Sequence, residues 1–395
     1  TSRISWGNAN LDEVTGGLVR GRIIQVKGAP SHGKTFACLQ AAAEVLRRRG
    51  KVLWVALEPF DPTWARRNGV PVPYPHPNPG SDEEAYNLAH LNGEGFNLVV
   101  GKTGNEVLQT VCNAIELNAW DLIIVDSISV AIAKVHLENK EVGDSSPGGE
   151  AFMINQFVAR AQTAWNAVES GVGKVLNRTY VCTSCGESFG AKKDHEKCTS
   201  LEKGKPKFQE NDEIGEPPRS VVIVVNQLRA QGIGATMPVA PDAAGGMGLQ
   251  HGKSADVLFQ GAVQLKAMVK GEEVVFGIVS TIRCPKNKMA VPHKEGVVEL
   301  WVRDLEGYSV AGQYNLMTDL VGRTVSFGKD NKKVFPGLAV SKGIIRQAGA
   351  WFYLGDGEDA QKFQGLDALQ TYLAENPSVL RALRAELSKR IWASL

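Results

Sequence analysis

Short apolar runs alternate with segments of helical periodicity through the first two-thirds of the chain. We predict strands at residues 22–26, 51–57, 97–100, 121–125 and 220–225, and a helix over 35–49 that ends at Gly50 in the left-handed conformation. Several strands are apolar throughout, as expected where both faces of a sheet are covered. The order of strand, helix and strand predicts an α/β fold with a mostly parallel, twisted sheet and right-handed crossovers.

The rest of the chain departs from this alternation. Strands predicted at 256–265, 274–281 and 297–302 have short connections and would extend the same sheet in antiparallel fashion. Residues 71–80 contain five prolines and should form a surface loop. We predict a core domain over 1–304, a polar insertion within it over 171–219, and a small α+β domain over 305–395. The last helix should be capped by Asn376, begin at Pro377 and bury one face: Leu380, Leu383, Leu387 and Ile391.

Composition narrows the class of protein. The 395 residues are 43% hydrophobic and 22% charged, which is typical of a globular chain of two or three domains. A net charge of +2 gives no global attraction for a polyanion. Because there is neither a signal peptide nor a long apolar run, we expect a soluble cytoplasmic protein with no membrane partner. Six cysteines, three of them close together, suggest a metal site in a reducing compartment.

The segment from Gly28 to Thr35 fits the phosphate-loop pattern G-x-x-x-x-G-K-[ST] and lies between a predicted strand and a predicted helix. Backbone N–H groups of such a loop converge on phosphate oxygens, the lysine reaches the β- and γ-phosphates, and the threonine hydroxyl ligates Mg²⁺. The alternative is an ordinary glycine-containing turn. The predicted ATP and Mg²⁺ contacts here are Gly28, Ser31, His32, Gly33, Lys34 and Thr35.

Two carboxylates end neighbouring strands at the same rim of the predicted sheet. Asp126 follows a buried strand and suits an outer-shell contact to Mg²⁺. Glu58 could orient and deprotonate a water that attacks the γ-phosphate. On position alone, Glu58 could also be a solvated acid at a strand end.

The insertion contains Cys182-x-x-Cys185 and, nine residues later, His195-x-x-Cys198. Three cysteines and one histidine are a standard tetrahedral ligand set for structural zinc. A short polar module with little apolar content needs a bound metal to fold. The alternative is unligated cysteines in a disordered insertion. The module's lysines suggest an auxiliary nucleic-acid contact, although interleaved acids argue against it.

With these motifs in place, the sequence resembles the RecA family of homologous recombinases over nearly the whole chain, apart from two insertions. The segment Ala56-Leu57-Glu58, followed by 61–67, is similar to the family's catalytic glutamate and adenine-binding aromatic. Gly349-Ala350-Trp351-Phe352 and the last helix resemble its C-terminal domain. The resemblance implies a RecA-like P-loop ATPase core. It also implies catalytic roles for Glu58, Lys34 and Gln227, with Trp64 stacking on adenine and Asp61 near the adenine edge.

The resemblance also implies DNA-binding loops and a nucleotide site shared between protomers. The first loop would include Gly143, Asp144 and Ser145. Gln227 would sense the γ-phosphate at the start of the second loop, which would include Arg229, Ile233, Gly234, Met237, Gly245 and Gly246. Lys286 and Lys288 would reach the ATP of the neighbouring protomer. Without the resemblance, the second loop could be a flexible surface loop and the two lysines a solvated turn.

The sequence departs from the family at three places. The family usually begins with a helix that packs on the neighbouring protomer, whereas this sequence starts at the core; either that helix is missing or assembly uses another surface. Gln250-His251, with Lys253 nearby, stand where the family has Lys-Phe. Pro147 and Gly148 stand where the first loop often has a methionine.

The function implied by the resemblance is that of an ATP-dependent recombinase. It would use ATP and Mg²⁺, carry structural Zn²⁺, form a homo-oligomeric helical filament on single-stranded DNA, and pair that strand with homologous duplex DNA. A ring-forming helicase or motor on the same core, and a regulatory ATPase without recombination activity, are the alternatives. The paired lysines and the C-terminal domain favour the recombinase. Its divergence and zinc insertion leave a phage origin open.

Overall fold

The computed structural model describes residues 3–70, 72, 95–101, 103–131, 149–191, 207–229, 242–243, 246–269, 272–301, 316–326, 332–355, 357 and 360–394. The predicted proline-rich loop therefore lies outside the described residues except for Val72. The predicted domain boundary at 304–305 also lies outside them, and the domain limits stay predictions.

A nine-stranded sheet forms the centre of the fold. Its strands are β3 (Ile23–Gly28), β4 (Val52–Ala56), β5 (Phe96–Val100), β6 (Leu122–Asp126), β10 (Val221–Arg229), β11 (Asp242–Ala243), β12 (Ala255–Val269), β13 (Glu272–Asn287) and β14 (Glu295–Trp301). They lie in the order β14-β13-β12-β3-β10-β6-β4-β5, with β11 paired to β10. The five pairings from β12 through β5 are parallel, whereas β13, β14 and β11 are added in antiparallel fashion. The prediction of antiparallel strands is confirmed for β13 and β14 and is wrong for β12, which joins β3 in parallel. The connection from β10 to β12 contains the helix Gly246–Gly252, and such a long crossover allows parallel pairing.

Helices cover both faces of this sheet, which explains the continuous apolar runs. On one face, side chains such as Trp54 and Ile124 pack with α2 (Lys34–Arg47). On the other, their strand neighbours Val55 and Ile123 pack with α4 (Gly104–Glu116) and α5 (Gly149–Gly171). The helices α1 (Ala9–Thr15), α3 (Pro62–Arg67) and α6 (Gly246–Gly252) complete this part of the chain, with the small β1–β2 ribbon (Arg3–Ile4, Leu18–Val19). Within the described ranges, no helix has the length and apolar character needed to cross a membrane.

The end of α2 corrects one expectation. Arg49, and not Gly50, adopts the left-handed conformation, with φ of 59°. Position 50 needs a glycine for a different reason: a side chain there would collide with Val45, since its Cβ would lie 2.7 Å from Cγ1 of Val45.

The predicted insertion contains a separate antiparallel sheet of order β8-β7-β9: β7 (Val175–Cys182), β8 (Ser188–Phe189) and β9 (Phe208–Ile214). Its outer strand is acidic, and Arg178 pairs across the sheet with Asp212 through two hydrogen bonds of 2.6 and 2.8 Å. The acids in β9 make this face a poor surface for a polyanion.

The C-terminal region has its own apolar cluster, which includes Leu387 and Ile391, with Leu380 and Leu383 partly buried beside them. The predicted apolar face of the last helix is therefore confirmed. The predicted side-chain cap is wrong, because the Asn376 amide donates to the Tyr372 carbonyl of the preceding helix. The elements here are α7 (Leu316–Val321), β15 (Gly322–Ser326), β16 (Lys332–Pro336), α8 (Leu338–Ser341), β17 (Ile345–Ala348), β18 (Trp351–Leu354), β19 (Gln361–Gln364), α9 (Leu366–Glu375) and α10 (Pro377–Ala393).

Candidate active site

The phosphate loop connects β3 to α2, as predicted, and its backbone needs unusual conformations. Ser31 and Gly33 have φ values of 61° and 89°, so the chain turns sharply before α2 begins at Lys34. Gly28 is required for close packing: a Cβ there would lie 2.6 Å from the carbonyl oxygen of Phe259 on β12. The loop therefore sits tightly against the neighbouring strand, with its N–H groups at the amino end of a 14-residue helix.

Two residues that sequence reasoning missed support this loop from β12 and β13. The Ser280 hydroxyl donates to the His32 carbonyl at 2.8 Å, and His32 Nδ1 lies 3.5 Å from the Phe259 carbonyl oxygen. No local pattern marks either residue, because their positions follow from strand pairing more than 200 residues away in sequence.

Lys34, Thr35 and Asp126 lie together at the start of α2. The Thr35 hydroxyl donates to Asp126 Oδ2 at 3.0 Å, and Lys34 Nζ donates to the Ala29 carbonyl of the loop at 2.7 Å. Burial lowers the pKa of Lys34, against the attraction of the Asp126 and Glu58 carboxylates. Burial raises the pKa of Asp126 to about 6, and the Glu58 charge adds to this, whereas Thr35 and Lys34 oppose it.

The second predicted carboxylate, Glu58, is held by two donors, one directly after β6 and one on β10. Its Oε1 accepts hydrogen bonds from the Ser127 hydroxyl and, at 3.2 Å, from Gln227 Nε2. Gln227 is the register partner of Gly28 on β3, so Glu58 lies beside the start of the phosphate loop. Ser127 directly follows Asp126 in sequence; that adjacency was its only signal. The arrangement brings together a candidate base, two groups that orient it and the phosphate loop.

The donor set fits Mg²⁺ bound with a nucleotide phosphate. A hydroxyl and a carboxylate oxygen are hard ligands of the kind that Mg²⁺ prefers. The pKa of Asp126 is raised first by its burial, and the nearby Glu58 charge adds to this. A cation beside Thr35 and Asp126 would favour the ionised form of that carboxylate.

Asp61 and Trp64, expected near adenine, lie on the short helix that follows β4. Asp61 Oδ1 accepts from the backbone N–H groups of Thr63 and Trp64, at 2.8 and 3.1 Å, and so caps this helix. Trp64 is half-buried and packs against the core with Phe60. Their roles toward adenine stay predictions.

Lys286 and Lys288 converge, as predicted, but their acceptors lie within the same chain. Lys286 Nζ donates to the carbonyls of Gln250 and, at 3.5 Å, His251, and Lys288 Nζ lies 3.3 Å from the His251 carbonyl oxygen. These carbonyls end α6, so the lysines complement the negative end of that helix. Burial lowers the pKa of Lys286, and the nearby Lys288 charge adds to this.

Most of the predicted DNA contacts lie outside the described residues: Gly143, Asp144, Ser145, Ile233, Gly234, Met237 and Gly245. The ends of the second loop are described. Arg229 pairs with Asp242 across the β10–β11 ladder, and Gly246 begins α6. This ladder joins the strand of Gln227 to the far end of the loop.

Two of the four predicted zinc ligands, His195 and Cys198, also lie outside the described residues. Cys182 and Cys185 flank a tight turn in which the Gly186 N–H donates to the Cys182 carbonyl at 2.8 Å and the Cys182 N–H donates to the Glu187 carbonyl at 2.9 Å. Gly186 has φ of 77°. Such a turn suits two thiolates that ligate one ion, although no group of three or more metal-binding side chains occurs among the residues described.

Over its whole length, the chain is similar to RecA proteins. The protein RecA of Rhizobium leguminosarum bv. trifolii (strain WSM2304) is 28% identical over 400 residues, which cover 99% of this chain and 80% of that protein. The protein RecA of Xanthomonas euvesicatoria pv. vesicatoria (strain 85-10) is 25% identical over 392 residues, 98% of this chain and 84% of that protein. No protein-family model matches the chain. The full-length similarity supports a relationship to the RecA family and agrees with the mostly parallel α/β core.

Proposed function

We propose that the protein is a RecA-type recombinase that hydrolyses ATP with Mg²⁺ and is stimulated by single-stranded DNA. The observation that carries the proposal is the pair of hydrogen bonds from Ser127 and Gln227 to Glu58 at the edge of the phosphate loop. A carboxylate oriented by two donors beside a phosphate site suits a general base for water.

In this proposal each residue of the site has one role. Loop N–H groups and Lys34 hold the β- and γ-phosphates, and Thr35 with Asp126 would hold Mg²⁺, which neutralises phosphate charge when bound. Glu58 accepts a proton from water as the water oxygen bonds to the γ-phosphorus. The bond from that phosphorus to the bridging oxygen breaks, and ADP leaves. Gln227 links this step to the loop after β10, because its strand continues directly into that loop.

We favour a recombinase over a ring-forming motor because the similarity to RecA proteins extends over almost the whole chain. The alignment with RecA proteins covers 98–99% of this chain, so it includes the region after residue 305 as well as the core. We infer that the protein assembles on single-stranded DNA as a helical filament with ATP between protomers, and that Lys286 and Lys288 then contact the neighbour's nucleotide.

The test replaces Glu58 by Gln, which keeps the shape of the side chain and removes the base. We expect nucleotide binding to persist and DNA-stimulated turnover to fall at least about a hundredfold. The matched control is Glu106→Gln, the same change at an exposed position in the first turn of α4. Undiminished turnover in the Glu58 variant would remove Glu58 as the base.

Electron microscopy with single-stranded DNA and a slowly hydrolysed ATP analogue distinguishes a helical filament from a closed ring. Helical filaments support the recombinase, and a strand-exchange assay with homologous duplex then tests the activity itself. Closed rings with unwinding activity would overturn the choice in favour of a motor.

We also propose that Cys182, Cys185, His195 and Cys198 hold one structural zinc ion. The turn between the two described cysteines supports this, and the module has its own three-stranded sheet. Elemental analysis should find about one zinc per chain, and the double variant Cys182→Ser, Cys185→Ser should lose it while nucleotide binding persists. Metal-free purified protein, or loss of the whole fold in the double variant, would contradict the proposal.

A further inference from the structure

The carboxyl end of α6 is tied to the strand of the phosphate loop by a buried lysine. Lys253 directly follows α6 and is only 1% exposed. Its Nζ crosses to β3 and donates to Gln25 Oε1, and it also donates to Asp256 Oδ2 at 2.9 Å. A buried ammonium group is costly unless it is paired, so its contacts fix the end of α6 in space.

The contacts of Lys253 extend through Asp256 to the residue beside the phosphate loop. Asp256 Oδ2 also lies 2.8 Å from Nζ of Lys27, the residue directly before Gly28. Gln25 and Asp256 are register partners on the adjacent strands β3 and β12. The cluster therefore holds two lysines around one carboxylate, and burial lowers the pKa of Lys253, with Asp256 opposing this.

The helix itself has little room to move independently. A Cβ at Gly248 would lie 1.9 Å from Oδ1 of Asn155, and one at Gly252 would lie 2.1 Å from Cγ1 of Val158, so α6 packs closely on α5. A displacement at its amino end, where the predicted second DNA-binding loop joins it, must therefore reach its carboxyl end as a shift of the whole helix.

We propose that Lys253 is a positioning residue that couples α6, and with it the loop before α6, to the strand of the phosphate loop. Nucleotide bound at the loop stabilises β3, and the Lys253 contacts carry that stabilisation into α6. The inference rests on the proposed function only in that a nucleotide binds this loop. It assigns Lys253 no contact with the nucleotide or with DNA.

The test compares Lys253→Met with Lys27→Met as a matched control. Each variant removes one of the two lysines that contact Asp256, the buried Lys253 or the partly buried Lys27, and leaves Asp256 with the other, so both should fold. Only the first variant removes the link to α6. The readout is hydrogen exchange of the amides in 246–253, with and without Mg²⁺ and a slowly hydrolysed ATP analogue. Wild-type protein and Lys27→Met should show exchange slowed about tenfold by the analogue, and Lys253→Met less than twofold.

Three results would overturn the inference: a wild-type response in Lys253→Met, equal loss of the response in both variants, or no response in wild-type protein that binds the analogue. DNA-stimulated turnover of the wild-type protein is measured separately. A wild-type protein that shows the α6 response but no DNA-stimulated turnover would reject the proposed function and keep the role of Lys253.

Discussion

Replacing Gly28 by Ala should damage the nucleotide site through strand spacing. The added Cβ would lie 2.6 Å from the carbonyl oxygen and 2.9 Å from the Cβ of Phe259, where ordinary contacts begin at 3.4 Å. Phe259 is buried and is the register partner of Gly28 in the parallel β3–β12 pair, so no flexible side chain can yield. The two strands must separate locally by about 0.8 Å.

Two costs follow from that separation. Overpacking of this kind destabilises a protein by about 1–3 kcal/mol. A shift of nearly 1 Å at groups that position a substrate reduces turnover by about a hundredfold. We therefore expect Gly28→Ala to lower the free energy of unfolding modestly and to lower ATP turnover severely.

Chemical denaturation and steady-state ATPase assays measure the two effects. Gly21→Ala is the control: Gly21 precedes the other end of β3, has φ of 71°, and a Cβ there meets only Pro218 at 3.6 Å. It should lose about 1–2 kcal/mol from backbone strain and keep its turnover. Wild-type turnover in Gly28→Ala would refute the reasoning, and equal loss of turnover in both variants would show that general destabilisation was responsible.

Two further predictions concern the base and the pH dependence of stability. Ser127→Ala removes one donor to Glu58, so turnover should fall about tenfold at unchanged nucleotide affinity; unchanged turnover would contradict that role. Burial raises the pKa of Asp12 from 3.8 to about 7, so its contribution to stability is greatest when protonated and is lost as pH rises toward 7. In Asp12→Asn, which keeps an acceptor for the Trp6 N–H, the stability lost between pH 5 and 8 should shrink by up to about 3 kcal/mol, and denaturation curves at both pH values check this.

The centre of the candidate site was predictable because one physical rule brings it together. Glu58, Asp126 and Gln227 each end or follow an apolar run, and the carboxyl ends of parallel strands meet at one edge of a sheet. Once the runs are recognised as parallel strands, these side chains must be neighbours. The hydrogen bond from Gln227 to Glu58 is an observed instance of that rule.

The residues that hold the site in place could not be predicted, because their contacts depend on strand pairing that no local sequence pattern reveals. Ser280 reaches His32 because β13 folds back along β12, and bulges in that hairpin shift its register. From the sequence, Lys253 was noted only because it lies near Gln250-His251, where the chain departs from the family. Its partners, Gln25 and Asp256, become neighbours through the β3–β12 register alone. Sequence periodicity determines which face a side chain occupies, whereas its partner depends on the register of a distant strand.

Lys286 and Lys288 show both sides of this distinction. Their alternation places them on one face of an extended segment, so their convergence was predictable. The acceptor was not predictable, because the carbonyls of Gln250 and His251 come to that face through the packing of α6. Neutral carbonyls are weaker partners for an ammonium group than a phosphate is. A neighbour's phosphate that reached the two lysines would therefore compete with α6 for the same donors, at the end of the helix that Lys253 links to β3.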